Sequence, residues 1–584
     1  MRPAGRQAMM QWQHRTVVRE GVNLAIRQGG NPDGPVLVMV HGYPDNSETW
    51  DKLAEALWED LHVVTYDVRG AGASSAPTEV SAYRLGELRD DLFAVIDAVS
   101  PGKPVHLLAH DWGSIQSWEA VTEPDAGRRL ASFTSLSGPC LDHMGQRLRR
   151  RSSLTSGLGQ LAKSWYIGAF HLPGLAPMAW RLGLDRAWPD LLRRTEHLRV
   201  APSPTQRRDG INGIALYRAN MLPCLLHPRE RHTQVPVQLL VALRDRYVGP
   251  ELLDEVPRWA ERVWRREMHT GHWGPLQAHP DITAGYLREF IAHIEGAPES
   301  PSLQRARVPA APRPDSGKLV VITGAGSGIG EATALAFGAR GATVLCTDID
   351  GGAAERTAQH IVDAGGQALG RRADVASARS MEALARYVER ELGAPDVVVN
   401  NAGIGLAGPL LDTSVKDWKQ VLDVNLWGVI HGCRLFARQM IDQAKAGHIV
   451  NVSSASAYLP SKVLPAYATS KSAVLMLTEC LRAELADQGI GVSAICPGII
   501  DTPITGRTRF VGADDEEQAR RRASAERFYR RRGFTPDRVA AAIVSAVEEN
   551  RAEVPVSAEA SGMRLVGRFS PALARRLARL DLTP

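Results

Sequence analysis

At 584 residues the chain exceeds what one hydrophobic core accommodates and suits two domains. Apolar residues make up 44% and charged residues 23%, which excludes a disordered chain, and a net charge of +5 gives no concentrated basic face for nucleic acid.

Taken from the start, Met1 to Arg15 lacks the apolar core of a signal peptide, and no run reaches the roughly 18 apolar residues needed to span a bilayer. Short Val/Ile/Leu-rich runs then alternate with amphipathic segments, the rhythm of a parallel sheet covered by helices on both faces. Strands are predicted at Val36–Val40, His62–Asp67, Val105–His110, Ser132–Ser137, Val235–Ala242 and Arg262–Met268. Between Gly138 and about Gln234 the rhythm breaks into Arg-, Trp- and Pro-containing helical stretches, expected to form a cap (residues 138–234) over the sheet.

Ala109-His110-Asp111-Trp112-Gly113 follows the third of these strands. It has the small residues of a strained strand-to-helix turn that exposes a nucleophile, with Asp in place of Ser. The residue type matters. A carboxylate attacking a saturated carbon leaves an ester whose carbonyl belongs to the enzyme and is then open to water; a Ser would leave an ether. The Asp therefore points to epoxide opening or halide displacement. Asp245 and His272 follow in the order nucleophile, acid, base: His272 would activate the hydrolytic water and Asp245 would fix its tautomer. The backbone N–H groups of Tyr43, in His41-Gly42-Tyr43-Pro44, and of Trp112 would form the oxyanion hole. Asp142 is an alternative triad acid. The Arg147–Arg151 run reads as a solvated helix face, with attraction of anionic lipid or an acidic substrate as its functional alternative.

On these residues, positions 12 to 295 resemble the α/β-hydrolase fold of epoxide hydrolases. The resemblance implies two cap tyrosines that donate to the epoxide oxygen: Tyr166, ahead of Phe170-His-Leu-Pro173-Gly174, and Tyr217 in Tyr217-Arg218-Ala219-Asn220. Haloalkane dehalogenases are the nearest rival, but they place a halide-binding Asn where this chain has Tyr43. Fluoroacetate dehalogenases place Arg where it has Trp112.

Glu295 to Gly317 holds five prolines without periodicity and reads as a linker, set at residues 298–316 between a hydrolase domain at 1–297 and a second domain at 317–584. In the second half, strands are predicted at Leu319–Thr323, Thr343–Asp348, Val397–Asn400, His448–Ser453, Gly491–Cys496 and Glu553–Val556. The first of them runs into a Gly-rich turn, Thr323-Gly324-Ala-Gly326-Ser327-Gly328-Ile329-Gly330, whose glycines let the backbone approach a pyrophosphate at a helix N-terminus. Asp348, ending the second strand, would accept both ribose hydroxyls of NAD and repel the 2′-phosphate of NADP. No Lys or Arg stands at Ser327 or Ile349. Tyr467 and Lys471 lie one helical turn apart on one face.

This half, about residues 317 to 560, resembles the Rossmann-fold short-chain dehydrogenases/reductases. The resemblance implies a catalytic tetrad of Asn425, Ser454, Tyr467 and Lys471, with Lys471 and the oxidised nicotinamide lowering the Tyr467 hydroxyl toward the working pH. It implies cofactor contacts from Asp374 and Val375 at the adenine, from Asn401, Ala402 and Gly403 after the fourth strand, and from Pro497, Gly498 and Thr502 at the carboxamide. A C-terminal extension from about residue 557 includes a helix opening at Ser570-Pro571. It is expected to pack on its own domain, with a membrane-surface role as the alternative.

The six cysteines, Cys140, Cys224, Cys346, Cys433, Cys480 and Cys496, show neither a CxxC pair nor metal-ligand spacing, so a metal site is not expected. Their scatter favours a reduced, cytoplasmic setting, with peripheral membrane contact as the alternative. The whole chain resembles actinobacterial fusions of an epoxide hydrolase with a dehydrogenase. Together these features predict hydrolysis of an epoxide to a vicinal diol and NAD-dependent interconversion of a secondary alcohol and ketone, on small-molecule, lipid-like substrates, in a homo-oligomer joined through the dehydrogenase domain. A haloalkane substrate, or one catalytically silent domain serving for binding or assembly, are the alternatives.

Overall fold

The computed structural model describes residues 10–149, 168, 170–172 and 174–579. They form two compact units, Met1–Ala310 and Ala311–Pro584.

The first unit is built on an eight-stranded sheet, in the order β1-β2-β4-β3-β5-β6-β7-β8. Its strands are β1 (Gln13–Arg19), β2 (Val22–Gly30), β3 (Val36–Val40), β4 (His62–Tyr66), β5 (Val105–His110), β6 (Leu130–Leu136), β7 (Val237–Ala242) and β8 (Val263–Met268). From β4 to β8 all pairings are parallel, while β1 and β2 run antiparallel at one edge. The central strands read as unbroken apolar runs because helices cover both faces, and every residue of β5 is buried. One core lies on each face, around Val38, Val64 and Leu107 on one side and Met39, Leu53 and Leu108 on the other. Between β6 and β7 the described cap helices are Leu175–Ala179, Asp185–Thr195, Gln206–Asn212 and Ile214–Leu226.

The second unit holds a seven-stranded parallel sheet in the order β11-β10-β9-β12-β14-β15-β17. These strands are β9 (Leu319–Thr323), β10 (Thr343–Asp348), β11 (Gln367–Arg372), β12 (Val397–Asn400), β14 (Gly447–Val452), β15 (Ile490–Pro497) and β17 (Glu553–Val556). A two-residue ladder joins β13 (Leu406–Ala407) to β16 (Arg509–Phe510). Again a core lies on each face. The chain is thus an α/β-hydrolase fold followed by a doubly wound Rossmann-type fold.

The expected linker needs correcting. Pro301–Ala306 is a helix whose N-cap, Ser300, accepts the Leu303 N–H. Leu303 is fully buried against Trp264 and Phe290, and the Val308 N–H donates to Val263 O at 2.8 Å. A Ser-Pro pair is a strong helix start, and one leucine at the right phase is enough to dock so short a helix. This part of the stretch belongs to the hydrolase unit. In the other unit, Asp315 is already tied to Arg340, its N–H donating to Arg340 O at 3.0 Å.

Candidate active sites

In the hydrolase unit β5 delivers Asp111 into the turn with φ 51° and ψ −124°, a backbone region that non-glycine residues avoid. The small neighbours are required: a Cβ on Gly113 would lie 2.1 Å from Val40 O, and one on Gly138 2.2 Å from Asp111 O. Asp111 Oδ2 accepts the Tyr43 N–H at 2.8 Å, and the Trp112 N–H also faces this carboxylate. Burial pushes the Asp111 pKa up, while His272 and the two N–H groups oppose it.

His272 Nδ1–H donates to Asp245 Oδ2 at 2.7 Å, and its Nε2 lies 3.7 Å from Asp111 Oδ1. Asp245 Oδ1 accepts the N–H groups of Tyr247 and Val248 at 2.8 and 2.9 Å. Burial disfavours the imidazolium, but Asp245, then Asp111 and Glu196, outweigh it and raise His272 to about 9. Burial likewise works against the Asp245 carboxylate, yet His272 and the two backbone donors hold its pKa below the ordinary value. Asp142 is elsewhere engaged: its carboxylate pairs with Arg229 at 2.8 Å, and Arg229 also pairs with Glu119 at 2.8 Å. In the basic run, Arg147 and Arg149 donate to the carbonyls of Glu251 and Leu226; Arg150 and Arg151 lie outside the described residues.

Tyr217 is buried, its ring 4.7 Å from that of Trp112 and 5.5 Å from that of Tyr43. The residues around it hold its helix in place. Arg218 donates to Phe170 O, and Asn220 accepts the Leu85 N–H and donates to Tyr83 O. Tyr166 lies outside the described residues. The Tyr43 side chain has a second task, since its hydroxyl donates to Gly210 O at 3.0 Å and accepts Trp180 Nε1–H at 2.8 Å, both from the cap.

Two carboxylates escaped the sequence reading. Asp45 Oδ2 accepts Trp273 Nε1–H at 2.7 Å, and burial, assisted by the Asp111 charge, raises its pKa to about 7. Glu196, from the cap, lies so close to Gly271 that a Cβ there would overlap its Oε2. Only the final Trp273 and Gly271 contacts mark these positions, and no local motif announces them.

In the dehydrogenase unit the Gly-rich turn leads into the helix Gly328–Ala339, whose N-cap Ser327 makes no side-chain capping bond. The first-turn N–H groups therefore face outward as a ready anion site. Gly328 has φ 60°, and a Cβ on Gly330 would stand 2.1 Å from Gly324 O, so neither position tolerates a larger residue. Asn401 Nδ2 donates to Thr323 O and Gly324 O at 3.0 and 3.1 Å, tying the segment Asn401-Ala402-Gly403 to this loop. Thr502 stands against Gly328, while the Gly498 N–H donates to Val556 O at 3.1 Å just after Pro497. Ile329 is partly buried against the core. Asp374 accepts the Ala376 N–H, and Val375 is buried.

Asp348, half-buried, accepts the Gly326 and Asp350 N–H groups at 3.0 Å each. Asp350 rather than Asp348 caps the following helix. Arg372 stands in register with Asp348 on the neighbouring strand, and its Nε donates to Ile349 O at 3.2 Å. Spacing along the chain had not revealed that cation. The uncapped helix end, the crowded glycines and the carboxylate one strand away fit a dinucleotide.

Ser454, Tyr467 and Lys471 come together, with Tyr467 hydrogen-bonded to Ser454. Lys471 Nζ donates to Val452 O at 2.9 Å and lies 5.9 Å from the Tyr467 ring centre. Burial raises the Tyr467 hydroxyl to about 12, with the Ser454 bond opposing, and lowers Lys471 to about 8. The expected lowering of this tyrosine calls on the oxidised nicotinamide as well as Lys471; in the protein alone, burial dominates. Asn425 sits in a widened π-helical turn, Asp423–Trp427, and its amide holds the Ile404 N–H at 2.8 Å and the Ile404 carbonyl at 3.0 Å.

Two enzyme units, an α/β-hydrolase and a short-chain dehydrogenase, are thereby defined by fold and site. The alpha/beta hydrolase fold family matches residues 35–278 and the short chain dehydrogenase family residues 318–510. The chain is similar along nearly its whole length to the "Probable oxidoreductase EphD" of Mycobacterium tuberculosis (strain ATCC 25618 / H37Rv), 42% identical over 580 residues, covering 96% of this chain and 97% of that one. It belongs to that family of hydrolase–dehydrogenase fusions and is a bifunctional hydrolase and oxidoreductase. Its second unit is also similar to 3beta-hydroxysteroid dehydrogenase 1 of Eggerthella lenta, 41% identical over 206 residues, covering 35% of this chain and 77% of that one. A short chain dehydrogenase/reductase of Burkholderia phymatum, solved in complex with NAD, is 33% identical and covers 46% of this chain and 97% of that one, with a TM-score of 0.41. Among the described residues no helix is long and apolar enough to cross a membrane.

Proposed function

We propose that the first unit opens epoxides to vicinal diols through an Asp111 ester, and that the second oxidises a secondary alcohol with NAD. The carrying observation is the Asp111–His272–Asp245 constellation with the Tyr43 N–H on the nucleophile. Asp111 attacks an epoxide carbon, forming one C–O bond as the ring C–O bond breaks, while Tyr217 and Tyr166 donate hydrogen bonds to the departing oxygen. One of them gives it a proton, which that tyrosine regains from the proton His272 later takes from water. His272 then takes a proton from water, which attacks the ester carbonyl; the diol leaves and the carboxylate is restored. Epoxide is favoured over haloalkane because the position where haloalkane dehalogenases place a halide-binding Asn is Tyr43, whose hydroxyl is committed to Gly210 and Trp180. The test is a single turnover in 18O-water. Label should enter Asp111 and be absent from the first diol; label in the first diol alone would show direct attack by water. Asp111→Asn should abolish turnover.

In the second unit NAD, when bound, supplies the hydride acceptor and a positive charge that favours the tyrosinate. Tyr467 takes the substrate hydroxyl proton, Ser454 holds the same oxygen, and Lys471 stabilises the phenolate. Asp348 supports NAD over NADP. The diol of the first reaction carries the kind of alcohol the second consumes, which supports one lipid-like metabolite passing through both. Self-association through the dehydrogenase unit is supported by exposed apolar side chains, among them Leu411, Val415 and Met476. Sedimentation velocity of the whole chain should show an oligomer that weakens in Met476→Glu.

A further inference from the structure

The last two helices of the dehydrogenase unit are Ala558–Phe569 and Pro571–Leu577. The first braces the cofactor segment at its N-terminal end, where Glu559 accepts the Ile499 N–H at 3.2 Å, and the residues beyond Ala560 hold no side chain placed in either site. Their inner face is built from small residues. Ala560 and Ala574 are buried, and a Cβ on Gly567 would stand 2.4 Å from Tyr458 O. Arg564 also turns inward, pairing with Glu553 at 3.0 Å. Away from it, Leu565 and Phe569, one turn apart on the first helix, and Leu573, on the second helix beyond the break at Ser570, are 56%, 74% and 43% exposed. The exposed cations of this segment are Arg568, which lies 5.8 Å from the Phe569 ring centre, and Arg575, Arg576 and Arg579. Among the described residues no carboxylate pairs with any of these four. An apolar ridge edged by unmatched arginines has the composition of a surface that lies in the headgroup layer of an anionic bilayer.

We propose that this helical pair docks the protein onto an anionic lipid surface, with Leu565, Phe569 and Leu573 entering the interface and the four arginines facing lipid phosphates. A second copy of the chain fits less well. An isologous contact would bring the same unmatched arginines of both copies together across an apolar strip, and among the described residues no acid pairs with them.

The whole protein is tested by flotation with vesicles of phosphatidylcholine alone and of phosphatidylcholine mixed with phosphatidylglycerol. Binding is expected to the mixed vesicles only, and it should weaken at high salt. Each cation near such a surface contributes about fivefold to the partition coefficient, so Arg575→Gln with Arg576→Gln should lower it about 25-fold. Phe569→Asp should abolish binding. These positions lie outside both sites, so unchanged NADH formation from an alcohol and an unchanged melting temperature would show that the variants fold. Equal binding to both vesicle types, binding to neither, or a Phe569→Asp variant that changes oligomeric state while keeping its vesicle binding would each overturn the proposal. The last of these would assign the ridge to a second copy.

Discussion

At the residue scale, charge placement around His272 has a measurable consequence. Its imidazolium is favoured by Asp245 and Asp111, which lift its folded pKa to about 9, above the ordinary value of about 6.5. The stabilisation is therefore complete below about 6.5 and is lost as pH rises through about 9. Ring-carbon NMR should find the His272 midpoint near 9, and Asp111→Asn should lower it by about one unit, since one neighbouring charge is removed. An unchanged midpoint would mean that Asp111 does not act on His272. In the proposed mechanism, ester formation would remove the same charge and bring the base back toward its ordinary pKa when water must be deprotonated. For the cofactor, NAD should bind at least about tenfold tighter than NADP, and Arg372→Ala should widen the gap; calorimetry showing equal affinities would refute the role given to Asp348. Asp111, Asp245 and His272 were legible because each follows a strand. Asp45 and Glu196 were not, because Asp45 gains its partner from Trp273, far along the chain, and Glu196 reaches Gly271 only through the packing of the cap.

At the scale of elements, the strands with continuous apolar runs were readable, since burial on both faces leaves no polar position to confuse the pattern. β1 and β11 were missed for the opposite reason, and β2 (Val22–Gly30) because its apolar positions are interrupted by Asn23, Arg27, Gln28 and two glycines. Edge strands such as Gln367–Arg372 carry mostly polar or exposed residues, and their pairing is set by a neighbour rather than by their own sequence. The short helix at Pro301 was hidden among prolines. Leu303→Ala should cost about 2–3 kcal/mol, lowering the melting transition of the hydrolase unit by about 5 °C and leaving unmoved the transition that NAD raises. Scanning calorimetry of the whole chain reads both. If neither transition moves, the helix is not part of the hydrolase core.

At the scale of the whole molecule, each unit has its own pair of cores, and the chain between Val308 and Arg313, which is held in a turn with Ser316, can extend at most about 18 Å. Such a tether gives effective concentrations up to about millimolar. Fed an epoxide and NAD, the intact protein should form hydroxyketone and NADH faster at low enzyme concentration than an equimolar mixture of the separated halves. Equal rates would leave the two reactions in series but remove any advantage of the fusion. Within the hydrolase unit, Tyr43 ties two events together, because its amide serves the nucleophile while its hydroxyl is fastened to the cap. Under the proposed ester mechanism, lifting the cap would pull on the group that steadies the tetrahedral intermediate. An epoxide too bulky for the lid to seat over would then be captured but not released, converting a substrate into a stoichiometric label of Asp111.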